Sequence, residues 1–137
     1  MKRLAIALGI AVAGAAMGID RNEAAPRRAA GDLAGAWAND GFKLRDGHWA
    51  GSLLPGRPQI VQVNLFEGNR YWFTAANSGP ISMDIFDESG QPVPVETYHD
   101  GSRVAAGFAP ALSGVYFVKL EQAGNHASTF CLIYSYK

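Results

Sequence analysis

From His48 onward, short apolar runs alternate with clusters of Gly, Pro, Asn and Asp. Ile60, Val61, Val63 and Leu65 form one run, closed by Glu67-Gly68-Asn69. Tyr71 to Thr74 form the next, closed by Asn77-Ser78-Gly79-Pro80. Ile81, Met83, Ile85 and Phe86 form a third, ending in Asp87-Glu88-Ser89-Gly90. Val93, Val95 and Tyr98 suggest a fourth, which Pro94 confines to a sheet edge because proline has no N–H for a ladder. Val104 to Phe108, Val115 to Leu120 and Thr129 to Tyr136 follow, and His48 to Leu54 adds a strand at the front. Seven or eight short strands spaced roughly 8–12 residues apart, with turn residues between them, predict an all-β, antiparallel two-sheet sandwich or barrel.

The alternation within the runs assigns faces, because successive strand side chains point to opposite sides. Val61, Val63 and Leu65 share a side, as do Tyr71 and Phe73, then Ile81, Met83 and Ile85. Tyr116, Val118 and Leu120 form a fourth set, and Phe130, Leu132, Tyr134 and Tyr136 a fifth. These sets are expected to meet between the two sheets. The opposite faces carry Trp72, Phe86, Val115, Phe117, Cys131 and Ile133, which is too apolar for a fully solvated surface. The segment from Leu33 to Trp49 is therefore expected to fold over one outer face, with Trp37, Phe42 and Trp49 as the cover.

The front of the chain has a different character. Met1-Lys2-Arg3 is a short positive start, Leu4 to Met17 is an apolar run, and small residues crowd its end. That pattern predicts a secretory signal peptide over 1–19, cleaved between Ala15 and Ile19. No membrane span is expected after its removal, since the run falls short of the about 20 apolar residues a span requires. Residues 20–46 read as a linker and possible cap, short and irregular or helical. Ala29 to Ala38 is the candidate helix, weakened by Gly31 and Gly35. Residues 47–137 are the sandwich domain.

Twelve Lys and Arg balance twelve Asp and Glu, so there is no electrostatic footprint for nucleic acid or an anionic membrane. Cys131 is the single cysteine, which excludes an internal disulfide and leaves a thiol that is either free or paired between chains. Catalysis requires a nucleophile with its base, paired carboxylates or a metal cage. His48, His99 and His126 share no motif spacing, and no serine sits in a nucleophile elbow. No enzyme activity and no catalytic residue are expected. No metal site is expected either; Asp84 and Asp87 are the nearest candidates, but one lies on a strand and the other in a turn. Trp49, Trp72 and Tyr98 are the candidate binding residues, since flat aromatic rings stack on sugar faces.

Several short features, in order, resemble the bacterial pre-peptidase C-terminal domain. They are Gly51-Ser52-Leu53 and Pro55-Gly56, Val61 to Leu65 with Gly68, Tyr71-Trp72-Phe73, and Met83 to Asp87 with Gly90. Phe108-Ala109-Pro110, Ser113 to Val118 and a closing Phe130 to Tyr134 strand complete the series, so the resemblance covers about residues 48–137. It implies a jelly-roll-like sandwich that assists another protein through substrate contact, secretion or spacing. Some members of that family bind calcium through acidic residues near the start of the domain. Here Arg57-Pro58-Gln59 stands where an acidic pair is often found, so no cofactor is expected. The expectation is a non-catalytic, periplasmic or extracellular domain contacting a protein or the cell envelope; the alternative is a carbohydrate-binding module with a polysaccharide partner.

Overall fold

The computed structural model describes the backbone of residues 16–137 and the side chains of residues 23–137; residues 1–15 of the expected leader lie outside the described residues. Among the described residues one helix, α1 (Ala16–Ala38), precedes nine strands. They are β1 (Lys43–Leu44), β2 (Trp49–Leu53), β3 (Gln59–Leu65), β4 (Tyr71–Asn77), β5 (Ile81–Phe86), β6 (Glu96–Asp100), β7 (Arg103–Phe108), β8 (Gly114–Gln122) and β9 (Ser128–Tyr136). The larger sheet runs β1-β9-β4-β7-β6, with β2 on β9 beside β1, and the smaller runs β3-β8-β5. Every ladder is antiparallel.

The two sheets meet through the side chains that alternation assigns inward. Val63, Leu65, Tyr71, Phe73, Ile81, Met83, Ile85, Tyr116, Val118, Leu120, Phe130 and Leu132 all lie in one buried cluster, with Val61 and Tyr134 packed against it. Two tyrosines bury their rings there and satisfy their hydroxyls on nearby backbone, as a buried phenol must. The Tyr116 hydroxyl donates to the Leu112 carbonyl at 2.7 Å. The Tyr71 hydroxyl accepts from the Phe66 N–H at 3.0 Å and from Asn69 Nδ2 at 3.1 Å, closing the β3–β4 turn. At the other end, the buried Gln122 amide donates to the Leu53 carbonyl at 2.6 Å and the His126 carbonyl at 2.5 Å, which ties β2 to the β8–β9 turn.

Three details differ from the sequence reading. There are nine strands, because the two-residue β1 has no hydrophobic pattern of its own and exists only as a ladder on Tyr136 and Ser135. The fourth expected strand starts at Glu96. Before it, Pro92 and Pro94 lack ladder donors, and Val93 instead hydrogen-bonds back to Ile85 at 2.9 Å. The stretch from Asp20 to Gly31, expected as a linker, is helical.

Helix α1 lies on the outer face of the larger sheet, over β9 and β4. Its buried positions are Pro26, Ala30 and Ala34, with Ala29 and Trp37 half-buried. The spacing 26, 30, 34, 37 follows one helical face. Small side chains on that face let the helix come close to Ala76, Cys131 and Ile133. At its C-terminal end Trp37 stacks on Trp72, ring centroids 4.0 Å apart and planes within 5°. The Trp37 indole N–H donates to Thr74 Oγ1 at 3.0 Å. Beneath Trp72 lies Gly107, where an added Cβ would fall 2.6 Å from the indole. Glycine is required at that point by the close approach of the ring.

Trp37 and Trp72 thus account for part of the apolar outer surface. Trp49, expected in the same cover, does the opposite: it pairs with Leu132 across the ladder and packs against the inner cluster. The loop from Arg45 to His48 carries β2 back onto β9 with Trp49 on that side.

Candidate functional site

The structure does not bring the three candidate aromatic residues together. Trp72 is on the outer face of β4, with one ring face against Trp37 and the other over Gly107. Trp49 is on the inner side of β2. Tyr98 is exposed on β6, at the opposite edge of the larger sheet.

The two carboxylates are likewise separate. Asp84 is exposed on β5, opposite Lys119 in the ladder. Asp87 is used by its own turn: its Oδ1 accepts from the Ser89 N–H at 3.0 Å, the Ser89 hydroxyl at 2.7 Å and the Gln91 N–H at 2.9 Å. The Ser89 hydroxyl and the Gln91 N–H hold that carboxyl below its usual pKa. Among the described residues no cluster of three or more His, Cys, Asp or Glu side chains is placed to share an ion. Calcium takes six to eight oxygens, and the Arg57-Pro58-Gln59 stretch supplies no carboxylate.

Two of the histidines have identified hydrogen-bond partners. The His99 Nε2–H donates to the Ile81 carbonyl at 2.9 Å and closes one side of a shallow depression of about 340 Å³ with Ser82, Glu121 and Gln122. His48 Nε2 accepts from Arg27 Nη2 on α1 at 2.9 Å, which fixes the ring as neutral with its proton on Nδ1. Partial burial, then the Arg27 charge, lowers the His48 pKa from 6.5, with Glu23 opposing. A histidine with a depressed folded-state pKa contributes stability above its unfolded value that is lost as pH falls through the folded one. The urea midpoint is therefore expected to decline once pH drops below about 6.5, and His48→Gln should flatten that part of the profile. An unchanged slope in the variant would show that the Arg27–His48 contact does not couple to folding.

What the structure does assemble is an aromatic and cationic trough along the free edge of the larger sheet. Tyr134 and Tyr136 project from the inner side of β9. Trp49 stacks beside Tyr134, centroids 6.2 Å apart at 23°. The Arg45 guanidinium lies over both rings, 4.8 Å from Trp49 and 5.1 Å from Tyr134. Gly47, at φ +92, supplies the left-handed backbone turn in the loop between Arg45 and Trp49. Lys43 stands opposite Tyr136 in the ladder and lines a depression of about 330 Å³ with Asn69, Tyr136 and Lys137. Burial raises the Tyr134 pKa, and the Arg45 charge works against that rise. The ion pairs among the described residues are Arg70–Glu96, Arg103–Asp100 and Lys119–Glu121; none engages Lys43, Arg45 or Lys137. Of the sequence candidates only Trp49 belongs here.

No family model matches the chain, and no curated protein matches it. Among solved structures, the pre-peptidase C-terminal domain of a collagenase from Bacillus anthracis is similar: TM-score 0.53 and 18% identity, covering 64% of this chain and 87% of that one. At that identity the likeness is one of fold. The chain has a β-sandwich fold like that of a pre-peptidase C-terminal domain.

Proposed function

We propose that this chain is an exported, non-catalytic β-sandwich domain of the pre-peptidase C-terminal kind that acts by holding a partner protein in the periplasm or outside the cell. The charged start and apolar run of residues 1–19 support export. The observation that carries the contact role is the trough on the β1–β2 edge, where a guanidinium over two half-exposed rings and a neighbouring lysine have no ion-pair partners among the described residues. Arginine and aromatic residues are the types that dominate protein contacts. The collagenase domain of similar fold accompanies a larger enzyme, which supports the helper reading.

A carbohydrate-binding role is the second reading. Tyr136, 38% exposed in the same trough, favours it, because a sugar ring can lie on such a face. Cross-linking of the tagged chain in its own cell, followed by identification of the exported protein recovered with it, tests the first reading. Reproducible recovery of one partner supports it. Retention on polysaccharides with no protein partner would transfer the role to the second reading, and turnover of peptide, ester or glycoside substrates would end both.

A further inference from the structure

The trough combines three properties. First, Arg45 carries its guanidinium over the Trp49 and Tyr134 rings, 4.8 and 5.1 Å from their centroids, and cation–π attraction restrains it there. A guanidinium held this way loses little freedom when it takes a carboxylate in two parallel hydrogen bonds. Second, Lys43 lies two residues away on the same side of the sheet, so two cationic side chains start one strand-repeat apart. Lys137 adds charge at the end of the row, although its ammonium already donates to the Asp40 carbonyl at 2.7 Å and sits over Phe42. The nearest acidic neighbour in sequence is Asp46, which forms no ion pair with Arg45. Third, β1 and β2 are edge strands: each pairs with β9 on one side and with no strand among the described residues on the other.

Resting on the contact role proposed above, we infer that the β1–β2 edge takes an extended acidic segment of a partner protein. Its carboxylates meet Arg45 and Lys43, and its backbone runs along the unpaired edge. Side chains of an extended peptide repeat at every second residue, which matches the two-residue offset between the cations. The free edge decides for a polypeptide over an acidic glycan, because strand addition satisfies main-chain N–H and C=O groups that a polysaccharide does not match.

The test is calorimetric titration of the purified chain with a peptide of about six residues alternating Glu and Thr, the usual length of a strand. Its Gln-Thr counterpart and polygalacturonate serve as the other arms. The Glu-Thr peptide should bind, weaken as salt rises from about 0.05 to about 0.5 M, and outbind the Gln-Thr peptide by about tenfold or more. Lys43→Glu, at an exposed position that leaves the core untouched, should abolish the difference between the two peptides. Arg45→Lys, which keeps the charge and removes the fork, should weaken the Glu-Thr peptide severalfold. Equal affinity for both peptides, binding unaffected by Lys43→Glu, or binding of polygalacturonate alone would each overturn the inference. If the cross-linked partner is still recovered with the Lys43→Glu chain, the contact role stands and only this surface is wrong. If no partner is recovered with the unaltered chain, the contact role itself fails.

Discussion

Phe73→Ala is expected to lower the unfolding free energy by about 3–5 kcal/mol, the range for removing a fully buried aromatic side chain. Phe73 has no exposed surface and sits in the middle of β4. Its ring is 4.9 Å from Tyr134 and 6.4 Å from both Tyr71 and Phe108, so three neighbours lose their packing partner at once. The rings come from β9, β4 and β7, three strands of a cross-linked sheet that cannot easily move into the space. Little collapse means a large cavity term. For a domain of this size the melting temperature should fall by about 10–20 °C. A fall of only a few degrees would show that the inter-sheet core is not centred on this residue.

Trp37→Ala should produce the second large effect, and a different kind of effect. The substitution removes one half of the Trp37–Trp72 stack and the hydrogen bond to Thr74. An aromatic pair contributes about 0.5–1.5 kcal/mol beyond its buried area, and the hydrogen bond about 1 kcal/mol. With the area itself, the loss should be about 2–3 kcal/mol. Because α1 touches the sheet chiefly through alanines, most of that loss should appear as opening of the helix, with the sandwich intact. Cys131 reports the opening directly. It has no exposed surface under the helix, and burial pushes its thiol up to about 11. Its reaction with a disulfide reagent at mildly alkaline pH should be slow in the unaltered chain and at least about tenfold faster in Trp37→Ala. Trp37→Phe keeps a ring and drops the N–H, so it should lie between the two. Unchanged labelling and melting in Trp37→Ala would mean that the stack does not hold the helix.

The inner faces of the sandwich were legible because they obey the simplest rule of a pleated strand. Val61 to Leu65, Ile81 to Ile85 and Tyr116 to Leu120 alternate cleanly, and each lands where alternation puts it. Helix α1 was not legible at its true length, because its buried face is made of Pro26, Ala30 and Ala34. Residues of that size bury by allowing close approach, and a search for a large apolar stripe passes over them. Trp72 and Trp49 read alike in sequence. They separate only through register: Trp72 alternates outward on β4, whereas the Arg45–His48 loop delivers Trp49 inward. The trough depends on that loop and on a two-residue strand, so no local pattern announces it.

β9 carries a consequence beyond stability. It pairs with β1, β2 and β4, and α1 lies across it, so the first described element and the last strand are partners. A chain emerging from its N-terminus therefore presents β1 and β2 long before the strand they pair with exists. Until residues 128–136 arrive, the larger sheet has no connection between its two edges. The β3-β8-β5 sheet and the β4-β7-β6 part of the larger sheet have all their strands by Gln122, so β9 is the piece that joins β1 and β2 to partners already paired.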